Sequence, residues 1–260
     1  MARPLAGLGV LVTRPAHQSA PLCRLLEEQG ALPLAFPVLE IADPTDTTSL
    51  RATLARLEEF SLAIFVSPNA VIRAQRWLNN AGGLPPNLTL AAIGQGSANE
   101  LARYGLTVHL APTGSYDSES LLATPRLSRI NGERVIIFRG TGGRELLHSE
   151  LTKRGARVTY AEVYQRIKPT TDPCELHNRI AHKEMHAAIV TSSEGLHNLY
   201  SLVDPVGQAW LRDAQLIVFS ERTASEARKI GLGGDIQVTT EASDAAIVAA
   251  LIQIQEGSTA

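Results

Sequence analysis

The chain has 260 residues, 44% of them hydrophobic and 19% charged, with a formal net charge of −2. That length suffices for more than one packed core. The near-neutral charge excludes a nucleic-acid partner held by bulk positive charge. An anionic small molecule stays open, because local clusters of backbone N–H groups bind anions without net charge. No apolar run approaches the roughly 20 residues of a membrane span. The opening "MARPLAGLGVLVTRP" lacks the long apolar stretch and cleavage site of a signal peptide. Two cysteines, Cys23 and Cys174, make neither a disulfide framework nor a metal spacing, so the cytoplasm is the expected compartment.

In chain order, "VLVTRP" (10–15) reads as a buried strand and "LCRLLEEQG" as an amphipathic helix. Leu22, Leu25 and Leu26 form its stripe and Gly30 closes it as a C-terminal cap. An extended stretch "LAFPVLEI" (34–41) then leads into the polar "ADPTDTTS". "AIFVSPNAV" (63–71) and "AAIGQGSANELARYGL" (91–106) are again strand, polar turn and helix, and "SESLLATP" follows. From "VIIFRG" (135–140) the order restarts: "LHSELTKRG", the extended "YAEVYQRIKP" (160–169) leading into "TTDPCE", "AIVTSSEGL" (188–196), "IVFSERTASEARKIGL" (217–232) and "SDAAIVAA". Arg14 and Arg139, Gly30 and Gly155, Ala63 and Ala188, and Ser118 and Ser243 each stand 125 residues apart. Ser97 and Thr223, and Gly105 and Gly231, stand 126 apart. Strand–turn–helix recurs in any α/β protein, but the fixed offset marks an internal duplication. Strands alternating with helices predict parallel sheets covered on both faces. The two extended stretches, near 34–41 and 160–169, read as linkers between two lobes.

In open parallel sheets a ligand sits outside the C-terminal ends of the strands. The turns there are "TRPAHQS", "VSPNA", "GQGSA", "RGTGG", "TSSEG" and "SERTA", with Arg14, Arg139 and Arg222 nearby. They are rich in hydroxyls and N–H groups, and each helix N-terminus offers an anion about 0.3–1 kcal/mol. Any one of them is explained as an N-cap; all six together favour a ligand with many carboxylates or phosphates. Nucleotide motifs are poor. "GQGSAN" lacks the third glycine of GxGxxG, and "FRGTGGREL" lacks the Lys-Ser/Thr of a P-loop. His182 and His186, spaced i, i+4 in "RIAHKEMHAAIV", read as a solvated helix face rather than metal ligands. No nucleophile elbow or Ser-His-Asp order is present. The halves differ where Val38-Leu39-Glu40 meets Val163-Tyr164-Gln165. Tyr164 is there an interface residue or a phenol acting in a cleft as hydrogen-bond donor or general acid.

With these marks assembled, the chain resembles the uroporphyrinogen-III synthase family of tetrapyrrole biosynthesis. The likeness runs nearly its whole length and rests on the order and spacing of "VLVTRP", "FVSPNAV", "AAIGQGSANEL", "GERVIIFRG", "EVYQR", "AAIVTSSEGL" and a terminal Ser-rich turn and helix. The resemblance implies an α/β fold of two flavodoxin-like lobes joined by two extended linkers. One lobe takes both chain ends, about 1–37 and 168–260, and the other about 40–165. The first strand–helix unit of each copy then packs with the remainder of the other copy, an arrangement the repeat alone does not distinguish from two tandem lobes. The implied reaction closes the linear tetrapyrrole hydroxymethylbilane, an octacarboxylate, to uroporphyrinogen III. It inverts the last ring through a spiro intermediate, loses water, and uses no cofactor or metal.

On the same resemblance Tyr164 is the catalytic candidate. Ser67, Asn69, Gly94, Ser97 and Arg139, with the adjoining Gly140, hold carboxylates on one lobe. Thr191, Ser192, Ser193, Ser220 and Thr223, with Arg14, do so on the lobe of the chain ends. Glu194 departs from the neutral turn such a role prefers, as do Glu221 and Arg222 beside Ser220. The family expectation is a monomer, with at most a transient contact to the bilane-producing enzyme. Two other readings remain. A two-lobed module that binds a polyanion without chemistry would return its ligand unchanged. A nucleotide-dependent transferase would respond to ATP or NAD in its melting temperature.

Overall fold

A computed structural model of the chain describes residues 3–112, 117–232 and 234–258. In order they form β1 Gly9–Val12, α1 Ala16–Glu28, β2 Leu32–Ala35, β3 Glu40–Ala42, α2 Thr48–Leu54, β4 Leu62–Phe65, α3 Pro68–Asn80, β5 Thr89–Ala92 and α4 Gln95–Arg103. Then come α5 Ser118–Leu122, β6 Arg134–Gly140, α6 Leu146–Lys153, β7 Arg157–Ile167, α7 Cys174–Ala181 and β8 Ala187–Val190. The chain closes with α8 Ser193–Leu202, α9 Pro205–Asp213, β9 Gln215–Val218, α10 Glu221–Lys229, β10 Ile236–Val238 and α11 Asp244–Ser258. It divides into two compact units: residues 1–40 with 167–260, and residues 41–166.

The first unit holds a five-stranded sheet in the order β10-β9-β8-β1-β2, parallel throughout. Its strands are apolar on both faces, as a doubly covered sheet requires. Side chains alternate across a strand, so Leu11 joins Ala188, Val190, Leu216 and Val218 on one face. Val10 and Val12 join Ala187, Ile189 and Ile217 on the other, against Leu22 and Leu26 of α1 and Leu251 of α11. Phe36 and Val38, just past β2, pack into the first of these cores. Asn198 donates to the Val38 carbonyl at 3.0 Å and Thr171 to the Pro37 carbonyl at 2.8 Å.

The second unit holds a sheet in the order β3-β7-β6-β4-β5. The β4–β5, β4–β6 and β6–β7 pairs are parallel. Leu62, Ile64, Val135 and Ile137 face Leu121, Leu127, Leu147 and Leu151. On the opposite face Phe65 and Phe138 stack at 4.6 Å between ring centres, both fully buried. Each fully buried aromatic contributes about 1.5–3 kcal/mol of transfer free energy. The stretch 160–167 is part of β7, hydrogen-bonded to β6 as far as Tyr164, so most of the expected second linker is sheet.

The pairings also settle which strands go together. β1 lies against β8, and β6, its partner at the 125-residue offset, lies against β4. The opening strands of each repeat therefore sit in a sheet with the later strands of the other. The glycines at that offset close their helices as the sequence predicts: Gly30 (φ 91°) follows α1 and Gly155 (φ 88°) follows α6. A left-handed residue ends a helix without strain only where there is no Cβ. Among the histidines, the helix expectation fails. α7 stops at Ala181, and Lys183 (φ 58°) turns the chain. His182 Nδ1 bonds the Asn178 carbonyl at 2.8 Å, while His186 Nδ1 accepts from the Gly9 N–H at 3.0 Å.

Candidate functional site

The turns at the strand ends are built by side chains that cap the helices behind them. Ser67 caps α3, its Oγ accepting from the Ala70 N–H at 3.1 Å, with Pro68 at the first helical position. Ser192 caps α8 through the Gly195 N–H at 3.0 Å, and Ser220 caps α10 through the Thr223 N–H at 3.3 Å. Each such cap is worth about 1 kcal/mol. The three hydroxyl oxygens are thus committed as acceptors of helix N–H groups.

In the second unit these ends enclose a cleft of about 430 Å³. Ser67, Arg139, Gly140 and Tyr164 line it together with Tyr160, Arg144, Arg166, Asp117 and the 141–143 loop. Tyr164 is 2% exposed, and its phenol oxygen lies 3.3 Å from Ser67 Oγ. A register shift between β6 and β7 puts Glu162 opposite Arg139 but Tyr164 opposite Gly140. The irregularity therefore sets Tyr164, not Val163, over the glycine, and bulges commonly re-aim a side chain in this way. A Cβ at Gly140 would stand 2.5 Å from Tyr164 Cε2, so only glycine leaves room for the ring.

Arg139 is 5% exposed and held on every side. Its Nε donates to the Gly140 carbonyl at 3.1 Å, its Nη1 to Glu145 Oε1 at 3.2 Å, and its guanidinium lies 4.3 Å from the Tyr160 ring centre. Tyr160 donates its O–H to Glu145 Oε2 at 2.7 Å. Burial, followed by that bond, pushes the Tyr160 phenol up to about 12. The same bond, followed by the one from Arg139, holds the Glu145 carboxyl below its usual range. Asp117 is likewise lowered, first by the Ser120 N–H it accepts as the cap of α5. At neutral pH the Tyr160 phenol therefore keeps its proton, while the Glu145 and Asp117 carboxylates beside it stay ionised.

The other expected residues distribute differently. Asn69 and Gly94 lie at the starts of α3 and α4 beside the cleft without lining it. Ser97 and Thr223 are each 2% exposed, in the first turn of their helices. The Thr223 hydroxyl contacts Ser220 Oγ at 3.0 Å. Thr191, Ser192, Ser193 and Ser220 lie where β8 and β9 end in the first unit. There Arg14 is paired with Asp244 and lies 5.1 Å from the Phe219 ring centre. Tyr160 and Arg166 went unseen in the sequence, although strand period two puts them on the Tyr164 face of β7. Among the described residues no group of three His, Cys, Asp or Glu could hold a metal ion, and no helix is long and apolar enough to cross a membrane.

Parallel-dominated sheets define an α/β protein, with an arginine- and tyrosine-lined cleft at the strand ends of its second unit. A family model described as uroporphyrinogen-III synthase HemD matches residues 20–248. The chain belongs to the uroporphyrinogen-III synthase family. It is 37% identical over 246 residues to the uroporphyrinogen-III synthase of Escherichia coli (strain K12), covering 94% of this chain and 100% of that one. To the Salmonella typhimurium (strain LT2) enzyme it is 35% identical, with the same coverage. Among solved structures, uroporphyrinogen-III synthetase from Helicobacter pylori 26695 superposes with a TM-score of 0.61 at 15% identity, covering 95% of this chain and 99% of that one. A mutant uroporphyrinogen III synthase from the extremely thermophilic bacterium Thermus thermophilus gives 0.60 at 19%, covering 97% and 99%. At such identities these two likenesses concern the fold alone.

Proposed function

We propose that this chain, working as two flavodoxin-like lobes from one duplicated unit, converts hydroxymethylbilane to uroporphyrinogen III, a cyclising lyase reaction that releases water. The observation that carries this reading is the Tyr164 phenol, buried at the floor of an arginine-lined cleft 3.3 Å from Ser67 Oγ. Ser67 Oγ already accepts from the Ala70 N–H. Its own O–H is then best used as a donor to Tyr164, which turns the phenol proton toward the ligand. That proton meets the departing hydroxyl of the bilane. The C–O bond breaks, water leaves, and an electrophilic azafulvenium cation remains beside the Tyr164 phenolate, which takes back the proton released on final closure. The substituted carbon of the last ring attacks that cation, forming a C–C bond and a spiro intermediate. Fragmentation and reclosure on the other side of that ring, with loss of a proton, give the inverted isomer.

The bilane closes unaided to the uninverted isomer, so selection of geometry matters as much as ionisation. Arg139 and the capped helix starts hold carboxylates for that purpose. On the same reading the chain works in the cytoplasm as a monomer, receiving bilane through at most a transient contact with the enzyme that makes it. The test is incubation with freshly generated hydroxymethylbilane, oxidation, and separation of the isomer I and III porphyrins. Isomer III above the enzyme-free control is expected. Isomer I at the spontaneous rate would leave only a polyanion-binding module. Tyr164→Phe should lower kcat by up to about 10²–10⁴-fold, the range of a general acid, with activity remaining from positioning. Unchanged kinetics in that variant would remove Tyr164 from the chemistry.

A further inference from the structure

Arg139 and Tyr160 already hold a carboxylate, and it is the protein's own. Glu145 sits immediately before α6 in the capping position but makes no side-chain cap. Its carboxylate turns back instead, taking one donor on each oxygen: Arg139 Nη1 at 3.2 Å and the Tyr160 O–H at 2.7 Å. The geometry points to Glu145 as a built-in stand-in for a ligand carboxylate, which an incoming carboxylate exchanges for when it docks on Arg139 and Tyr160. This inference rests on the cleft being the binding site of the function proposed above.

Three features favour exchange over a fixed strut. The partners are unequally sheltered: the Arg139 side chain is 6% exposed and that of Glu145 66%. Returning an exposed carboxylate to water costs little, whereas leaving a buried guanidinium without its anionic partner is costly. In the first unit Arg14, the repeat counterpart of Arg139, pairs with Asp244 at side-chain exposures of 11% and 28%, a much smaller difference. Second, the seat itself is specific. A Cβ at Gly143 would stand 3.1 Å from Arg139 Nη2, so the guanidinium lies tightly under a glycine backbone. Third, Gly142 (φ 75°) and Gly143 (φ 101°) connect β6 to the segment bearing Glu145. Glycine backbone reorients there without steric cost.

The test is fluorescence titration with uroporphyrin III, an octacarboxylate probe that needs no turnover. Glu145→Gln keeps an oxygen for Tyr160 and removes the competing charge. It should bind roughly 1.4- to fivefold more tightly than the parent, the span measured for exposed ion pairs, with the gain shrinking as salt rises. Glu150→Gln removes an equal charge from α6, where Glu150 pairs with Lys153, and should leave affinity unchanged. Equal or weaker binding by Glu145→Gln overturns the inference and makes Glu145 a strut, as does a gain equalled by Glu150→Gln. Should Glu145→Gln fail to fold, carbodiimide labelling of the parent decides. Probe saturation should raise labelling of Glu145, and no rise overturns exchange. Isomer III formation by the same preparations separates the two claims: activity without the affinity gain sinks this inference alone, and the gain without activity sinks only the reaction.

Discussion

Gly140→Ala adds one methyl group where the structure has no room. Its Cβ would lie 2.5, 2.7 and 3.1 Å from Cε2, Cζ and Cδ2 of Tyr164, where ordinary contacts begin near 3.4 Å. The ring has to retreat by about 1 Å, yet Tyr164 is 2% exposed. Its backbone cannot follow easily, because its carbonyl accepts from the Thr141 N–H at 2.8 Å, one residue beyond the substitution. Overpacking of this kind costs about 1–3 kcal/mol. For a chain of this length that is about 2–4 °C of melting temperature per kcal/mol. The retreat also carries the phenol away from Ser67, so kcat for isomer III should fall about as far as in Tyr164→Phe. The two variants then separate in stability. Tyr164→Phe loses one long hydrogen bond and leaves Ser67 its Ala70 partner, at a cost of about 1 kcal/mol or less. Thermal unfolding followed by the isomer assay on one preparation reads both. A Gly140→Ala protein that melts with the parent and turns over at the parent's rate would refute the argument, since no relaxed packing of that glycine is then needed for chemistry.

Two further outcomes follow from packing and charge. Gly9→Ala should destabilise the first unit by about 3 kcal/mol or more, because its Cβ would stand 1.6 Å from the Glu184 carbonyl oxygen, a backbone atom that cannot step aside; an unchanged urea midpoint would contradict this. Glu133 accepts from Arg126 Nη2 at 2.8 Å and Ser61 Oγ at 2.7 Å, and Arg126, the larger influence, lowers its pKa from 4.5. A depressed carboxyl contributes stability above its unfolded pKa and loses it as pH falls through the folded one. The parent should therefore exceed Glu133→Gln by about 1 kcal/mol or less at pH about 6. That margin should begin to shrink as pH falls through 4.5 and be gone once pH lies below the lowered, folded-state pKa, and a margin unchanged across that acid range would show that the pair contributes no charge interaction.

What the sequence determined by itself was local or periodic. Continuous apolar runs such as "VIIFRG" dictate strands buried on both faces, and Ser67, Ser192 and Ser220 stand where helix starts need acceptors. Gly30 and Gly155 mark helix ends because a left-handed φ disfavours a Cβ. The 125-residue offset exposes a repeat because identical spacing survives where identity does not. Partner choice was not legible. Repeated strands carry nearly the same apolar surface and the same backbone donors, so β1 could pair within its own repeat or across to the other, and only the packed sheet decided for β8. Side-chain depth was hidden for the same reason. Ser97 and Thr223 look like Ser67 in a line of letters, yet the third residue of a helix turns inward where the cap does not. Nor could the alternation in β7 show that a register shift would lay Tyr164 over Gly140, or that Arg139, Glu145 and Tyr160 would meet. Those contacts join residues on separate elements, and their geometry exists only once the sheet has fixed its register.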